Sequence, residues 1–227
     1  MALRVRSIKT YLSKIIWGII ILIVGACLLR VYIWEKHYYA RMEGSQRATS
    51  PATVRTQVVD ETEVTVEQKN EYTVDPDKAR YMTIPRLGIE KARVIEVGVL
   101  ENDELDTPTN IFDIGWYHGS ARPGQGGTAI YDAHNGGPNV EGVFKHLPDL
   151  QNDDIITIER GDGTIFNYRV IENLTIPLAE ANNKMTLATR SPDKDTESIT
   201  LISCTGEWSE FRQTYLSRQF VRAILAE

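Results

Sequence analysis

The 227-residue chain contains only two cysteines, Cys27 and Cys204. Cys27 lies inside an N-terminal apolar run, so Cys204 has no plausible disulfide partner within its own chain. An unpaired thiol in an exported domain is a candidate for reactivity. Basic excess is lacking as well. Residues 1–14 carry Arg4, Arg6, Lys9 and Lys14 and no acid, so the net charge of −6 becomes −10 over the remainder. That balance argues against nucleic-acid binding, which needs a basic face to neutralise phosphates. It leaves peptides, cell-wall sugars and small molecules as partners. No group of residues shows metal-ligand spacing, so no metal or other cofactor is expected.

One long apolar run is present. Ile15 to Leu29 is uncharged, and after Arg30 the pattern resumes through Val31-Tyr32-Ile33-Trp34. Roughly 20 residues of this kind suffice for a helix to cross a bilayer. The basic cluster precedes the span, which puts the N-terminus in the cytoplasm and the bulk of the chain outside. A cleaved signal peptide would want a small-x-small site after a shorter core, and none follows. Val24-Gly25-Ala26-Cys27 loosely resembles a lipoprotein cleavage box, but Leu28-Leu29 is a poor mature start. The organisation expected is a basic cytoplasmic tail (1–14), a transmembrane anchor (15–34), an extracellular stalk (35–78) and a compact domain (79–227). The stalk is assigned from its Thr, Val, Glu and Gln content, which offers little bulk for a core.

The compact domain reads as mainly β. Tyr81 to Pro85, Ala92 to Val97 and Thr128 to Tyr131 have strand character. Gly161-Asp162-Gly163 between Ile155–Glu159 and Thr164–Val170 is a hairpin signal. Val140 to Leu147 has helical spacing with Val143, Phe144 and Leu147 on one side, and a short helix fits within Leu178 to Leu187. Ile199 to Cys204 and Arg218 to Leu225 complete seven or eight short strands, a pattern of barrels and sandwiches.

Cys204 ends an apolar run and opens the polar turn Thr205-Gly206. A thiol works as nucleophile in its thiolate form, so an imidazole or cation should lie near it. Of the four histidines, His37 adjoins the anchor and His146 faces solvent on its helical stretch. His118 sits in a Gly-bounded loop. His134, at the end of a strand and before Asn135-Gly136-Gly137, is the better-placed base. Acyl transfer also needs donors for an oxyanion. If the last two strands pair, Arg218 and Cys204 meet at neighbouring ends; Arg222 lies deeper on the same face, and Arg212 in the connecting loop remains a candidate. The competing reading of Cys204 is an inert buried thiol.

Taken together, Thr200-Leu201-Ile202-Ser203-Cys204-Thr205 resembles the Thr-Leu-x-Thr-Cys signature of sortases, the membrane-anchored cysteine transpeptidases of bacteria. Arg218-Gln219-Phe220-Val221-Arg222-Ala223 is similar to that family's arginine-bearing strand, and Gly127 through His134 to its strand-to-histidine segment. Ile84-Pro85-Arg86-Leu87-Gly88-Ile89 resembles its opening strand, and Phe144-Lys145-His146-Leu147 with Asp153-Asp154-Ile155-Ile156 its middle. Departures are Ser203 for threonine, Ala133 for the glycine before histidine, and Asn152 for the glycine of Gly-Asp. The resemblance implies a closed eight-stranded β-barrel with short helices. It implies that Cys204 is the nucleophile, His134 the general acid/base and Arg218 the holder of substrate carbonyl and oxyanion. It further implies cleavage of a Leu-Pro-x-Thr-Gly-like sorting signal on surface proteins between Thr and Gly through a thioacyl-enzyme. The acceptor would be an amine of a peptidoglycan precursor or a pilin. Two alternatives stand beside it: another cell-wall cysteine hydrolase, or a silent membrane-tethered binding module of the same fold. An L,D-transpeptidase would carry its cysteine in a His-Gly-Cys context, which Ser203-Cys204-Thr205 lacks.

Overall fold

A computed structural model describes residues 59–101 and 104–226, together with Trp17, Gly25, Leu29, Arg30, Tyr32 and Ile33. The anchor expected over 15–34 lies largely outside the described residues. Among those described, no helix is long and apolar enough to cross a membrane.

Eight strands close into a barrel: β1 (Ala79–Ile84), β2 (Ile89–Val97), β3 (Ile114–Tyr117), β4 (Thr128–Asp132), β5 (Ile155–Arg160), β6 (Ile165–Pro177), β7 (Ser198–Ser209) and β8 (Thr214–Leu225). Their order around the barrel is β1-β2-β3-β4-β7-β8-β6-β5. This settles the choice between barrel and sandwich. Closure leaves no sheet edge to protect. Two neighbouring pairs, β2–β3 and β4–β7, are parallel. Parallel neighbours cannot be joined by a tight hairpin, so each needs a long crossover. The crossovers are residues 98–113 and 133–197; the first ends, and the second begins, at the Asp132 end of β4.

Alternation along the strands fills the interior. Met82, Ile84, Val94, Ile114, Tyr131, Ile156, Ile158, Tyr168, Ile199, Leu201 and Val221 are all buried in one cluster. Burial of each such side chain is worth about 1.5–3 kcal/mol. A second, smaller cluster forms on the outer face of β4, β7 and β8: Ile130, Ile202 and Phe220, with Ile176 and Ala188. Of two short helices after β6, α2 (Leu178–Ala181) and α3 (Met185–Ala188), the second supplies Met185 and Ala188 to this cluster. The Thr200 hydroxyl donates to the Ala188 carbonyl at 3.1 Å and ties α3 down.

Three local expectations change. Residues 140–147 form turns, followed by a 3-10 turn at Leu147–Asp149. Phe144 and Leu147 are buried, as their spacing predicts. The backbone hydrogen bonds, however, run back to the chain beyond β4: Gly142 N–H donates to the Asn135 carbonyl and Phe144 N–H to the His134 carbonyl. Those partners replace the i→i−4 ladder that a helix would need.

The second change concerns residues 59–78, assigned above to the stalk. Thr65 caps a one-and-a-half-turn helix α1 (Val66–Glu71) through a reciprocal box with Gln68. The Tyr72 hydroxyl donates to the Val94 carbonyl at 2.5 Å, and Arg80 Nε to the Tyr72 carbonyl at 2.7 Å. Glu61 accepts from the backbone of Asn139 and Val140. This segment therefore lies against the barrel. The third change is the length of β7, which runs five residues beyond Cys204.

Candidate active site

Cys204 sits within β7, not at its end. The ladder with β8 continues through Thr205↔Ser217, breaks register, and resumes at Trp208↔Tyr215. Gly206 in the break has φ +82°, a conformation open to glycine, and a Cβ there would stand 3.2 Å from Ser217 Oγ. In sequence this glycine reads as a turn; in the fold it is a bulge that lets the hairpin run on. Cys204 is half-buried on the outer face of the barrel.

Arg218 is the direct cross-strand partner of Cys204. Directly opposed residues of an antiparallel pair project on the same face with Cβ atoms about 5 Å apart. The guanidinium donates to the carbonyls of Tyr215 and Ser217, each at 3.0 Å, and to the Thr214 hydroxyl at 3.2 Å. These partners are neutral, so they orient the cation without cancelling its charge. Arg222 stands two alternations deeper, opposite Thr200 and Glu172. It is buried, paired with the Glu172 carboxylate, and donates to the Arg190 carbonyl at 2.9 Å. Arg212 lies in the hairpin tip, its N–H on the Ser209 hydroxyl.

His134 reaches the same face from the other side. β4 and β7 are in parallel register up to Asp132↔Ile202, so His134 and Cys204 each lie two residues past the last pair. Two bonds carry the register forward: the Ser203 hydroxyl donates to the Ala133 carbonyl at 2.9 Å, and Asn135 Nδ2 to the Cys204 carbonyl at 2.7 Å. The hydroxyl of Ser203 thus does the work expected of a threonine there. The methyl of Ala133, standing where glycine is usual, is buried in the interior cluster. Imidazole Nε2 is 2.9 Å from the Pro108 carbonyl. His118 is exposed on the turn after β3 with its ring against Tyr117, and His146 is exposed between Glu141 and Asp149. His37 lies outside the described residues.

Asp132 and Asn135 were not singled out from the sequence. Both flank His134 in Asp132-Ala133-His134-Asn135, but their partners lie far off in the chain. Asp132 shares the face of His134 and accepts from the Thr107 hydroxyl at 2.5 Å. It keeps some surface open, yet protein surrounds its carboxyl, and this desolvation pushes it up to about 7 against the opposing pull of Thr107 and Arg218. Burial likewise raises the Cys204 thiol; Arg218 lowers it and Asp132 raises it. Burial lowers His134, opposed by the bond to Pro108. Both shifts favour a neutral thiol beside a neutral imidazole. Alkylation of Cys204 by iodoacetamide should therefore be slow at pH 7 and climb only above the ordinary thiol range. Asp132→Asn should move that rise to lower pH and Arg218→Met to higher pH; a plateau reached below pH 7 would contradict the assignment.

A closed eight-stranded barrel with a thiol, an imidazole and a guanidinium on one outer face is the class of structure described. Residues 82–226 match the family model of the sortase domain. The match spans more than half of the chain, and the chain belongs to the sortase family. Among solved structures, sortase C of Streptococcus pneumoniae is 18% identical over 82% of this chain and 84% of that one, with a TM-score of 0.50. Sortase C1 of Streptococcus agalactiae is 21% identical over 72% and 77%, also at 0.50. At these identities the likeness concerns the fold. Comparison with curated proteins by sequence gives no match.

Proposed function

We propose that the protein is a cysteine transpeptidase that cleaves a Leu-Pro-x-Thr-Gly-like sorting signal between Thr and Gly. It passes the carboxyl product to an amine of the cell wall or of a pilin. The observation that carries this reading is the direct cross-strand pairing of Cys204 with Arg218, beside the strand extension that bears His134. The surrounding sequence belongs to the sortase domain.

In the first half-reaction Cys204 Sγ gives its proton to His134 and attacks the threonine carbonyl carbon. Negative charge develops on its oxygen, where the Arg218 guanidinium is available as donor. The C–N bond breaks as His134 passes a proton to the departing glycine amine, leaving a thioester. In the second, an incoming amine gives its proton to His134 and attacks the thioester carbonyl, and the C–S bond breaks as His134 returns that proton to the departing sulfur. No electrons are exchanged with a cofactor at any step. Sortase C of Streptococcus pneumoniae has a pilin substrate specificity, which supports a pilin as one acceptor here. Residues 15–34 would anchor the protein in the bacterial membrane, N-terminus inside and catalytic domain outside.

The test uses the full chain in detergent with a library of sorting-signal peptides, read by mass spectrometry. Cleavage after threonine is expected, with a hydroxamate formed when hydroxylamine is present and a cross-linked product with diaminopimelate. Cleavage resolved by water alone under every acceptor would make the protein a hydrolase.

A further inference from the structure

Two consecutive residues of the crossover between β2 and β3 touch two residues of one strand face. Thr107 donates its hydroxyl to the Asp132 carboxylate at 2.5 Å, and Pro108 presents its carbonyl to His134 Nε2 at 2.9 Å. Asp132 and His134 are two apart along the chain leaving β4, so one short stretch clamps both. The stretch is stiff. Proline has a fixed φ, and the residue before it is confined to extended conformations. Pro108 is buried, its ring seated over Gly115 of β3; a Cβ at Gly115 would stand 2.9 Å from the proline Cδ. Further along, Asp60 N–H donates to the Thr109 carbonyl and Ile111 N–H to the Asp60 carbonyl, fixing the far side.

A carbonyl oxygen can only accept. The hydrogen in the bond to Pro108 must then sit on Nε2, in the neutral ring as well as in the imidazolium. We propose that Thr107 is a positioning residue for His134: held on Asp132, it keeps the Pro108 carbonyl on Nε2, so that Nδ1 is the nitrogen that gives and takes the proton in transpeptidation. The role rests on the function proposed above, but the tautomer is a property of the resting protein. Other charged groups around Asp132 are Arg218 on β8 and Asp106 on the crossover. Asp106 accepts from Thr107 N–H at 3.0 Å and so helps set the same turn.

The experiment pairs 15N NMR of the full chain, with labelled histidine, with steady-state cleavage of a sorting-signal peptide. In the wild type His134 should show a protonated Nε2 and an unprotonated Nδ1. Thr107→Val, which keeps shape and loses the donor, should mix the two tautomers and lower kcat about tenfold with little change in KM, the size expected for one lost hydrogen bond acting through orientation. Asp132→Ala should do the same, and Asp132→Asn, which still accepts from Thr107, should recover a large part of both losses. A protonated Nδ1 in the wild type, or a Thr107→Val protein with an unchanged tautomer, would overturn the proposal. So would an Asp132→Asn protein as slow as Asp132→Ala, because charge and not the bond would then be what matters. If the wild type cleaves no peptide, the transpeptidase reading fails while the tautomer measurement still decides the positioning role.

Discussion

Cys204→Ala is expected to bring peptide cleavage down to background, a loss of about 10⁴-fold or more, with thermal unfolding unchanged. The size follows from what the side chain supplies: loss of a covalent nucleophile removes a reaction path, and comparable losses in hydrolytic triads reach about 10⁶. Among the described residues Cys204 is the sole cysteine. The small structural cost follows from its place. Cys204 lies on the outer face, half-buried, and the barrel interior of β7 is filled by Ile199 and Leu201. The backbone bond from Asn135 Nδ2 goes to the Cys204 carbonyl, which alanine retains. Cleavage at a comparable rate by the alanine variant, measured on the same peptide, would remove the thiol from the mechanism. A wild type as inactive as the alanine variant would instead leave the silent-module reading for the chain.

Much of the barrel was legible because its signals are local. Alternation in Phe166-Asn167-Tyr168-Arg169-Val170 and the Gly161-Asp162-Gly163 turn predict β5 and β6 with their connection, and the ladder Ile155↔Arg169 to Glu159↔Ile165 follows. The convergence of Cys204 and Arg218 needed only the pairing of consecutive strands. What the sequence could not reveal depends on contacts between distant residues. Gly206 is a turn by composition but a bulge in place, because Ser217 lies across from it. Residues 140–147 lose their helix to carbonyls at His134 and Asn135. Thr107, Pro108 and Asn135 acquire meaning through partners 25, 26 and 69 positions away. Residues 59–78 have the composition of a linker, yet Tyr72 and Glu61 find partners at Val94 and Asn139, 22 and 78 positions away.

The two arginines of β8 should separate cleanly when each is replaced by alanine. Arg222 is 6% exposed in its side chain and pairs with Glu172, itself 38% exposed. Breaking a buried ion pair by removing one partner usually costs about 3–5 kcal/mol, but Glu172 can turn to water, so about 2–3 kcal/mol is expected here. The Arg190 carbonyl also loses a donor. For a domain of this size that is a fall in Tm of about 5–10 °C. Turnover per folded molecule should change little, because Arg222 lies two alternations below the thiol. Arg218→Ala should behave in the opposite way. Its guanidinium is bound to the carbonyls of its own strand and to Thr214, and water can replace it at that half-exposed site, so Tm should hold. The developing oxyanion would lose its cation, a loss of about 10²–10³ in kcat. Arg218→Lys should recover only part, since an ammonium cannot reproduce a planar guanidinium that donates from Nη1 to two carbonyls at 3.0 Å and from Nη2 to the Thr214 hydroxyl at 3.2 Å. Calorimetry and peptide cleavage on the same samples read both effects. An Arg222→Ala protein that stays stable but stops turning over would exchange the two roles, and the register Cys204↔Arg218 would then be architecture alone.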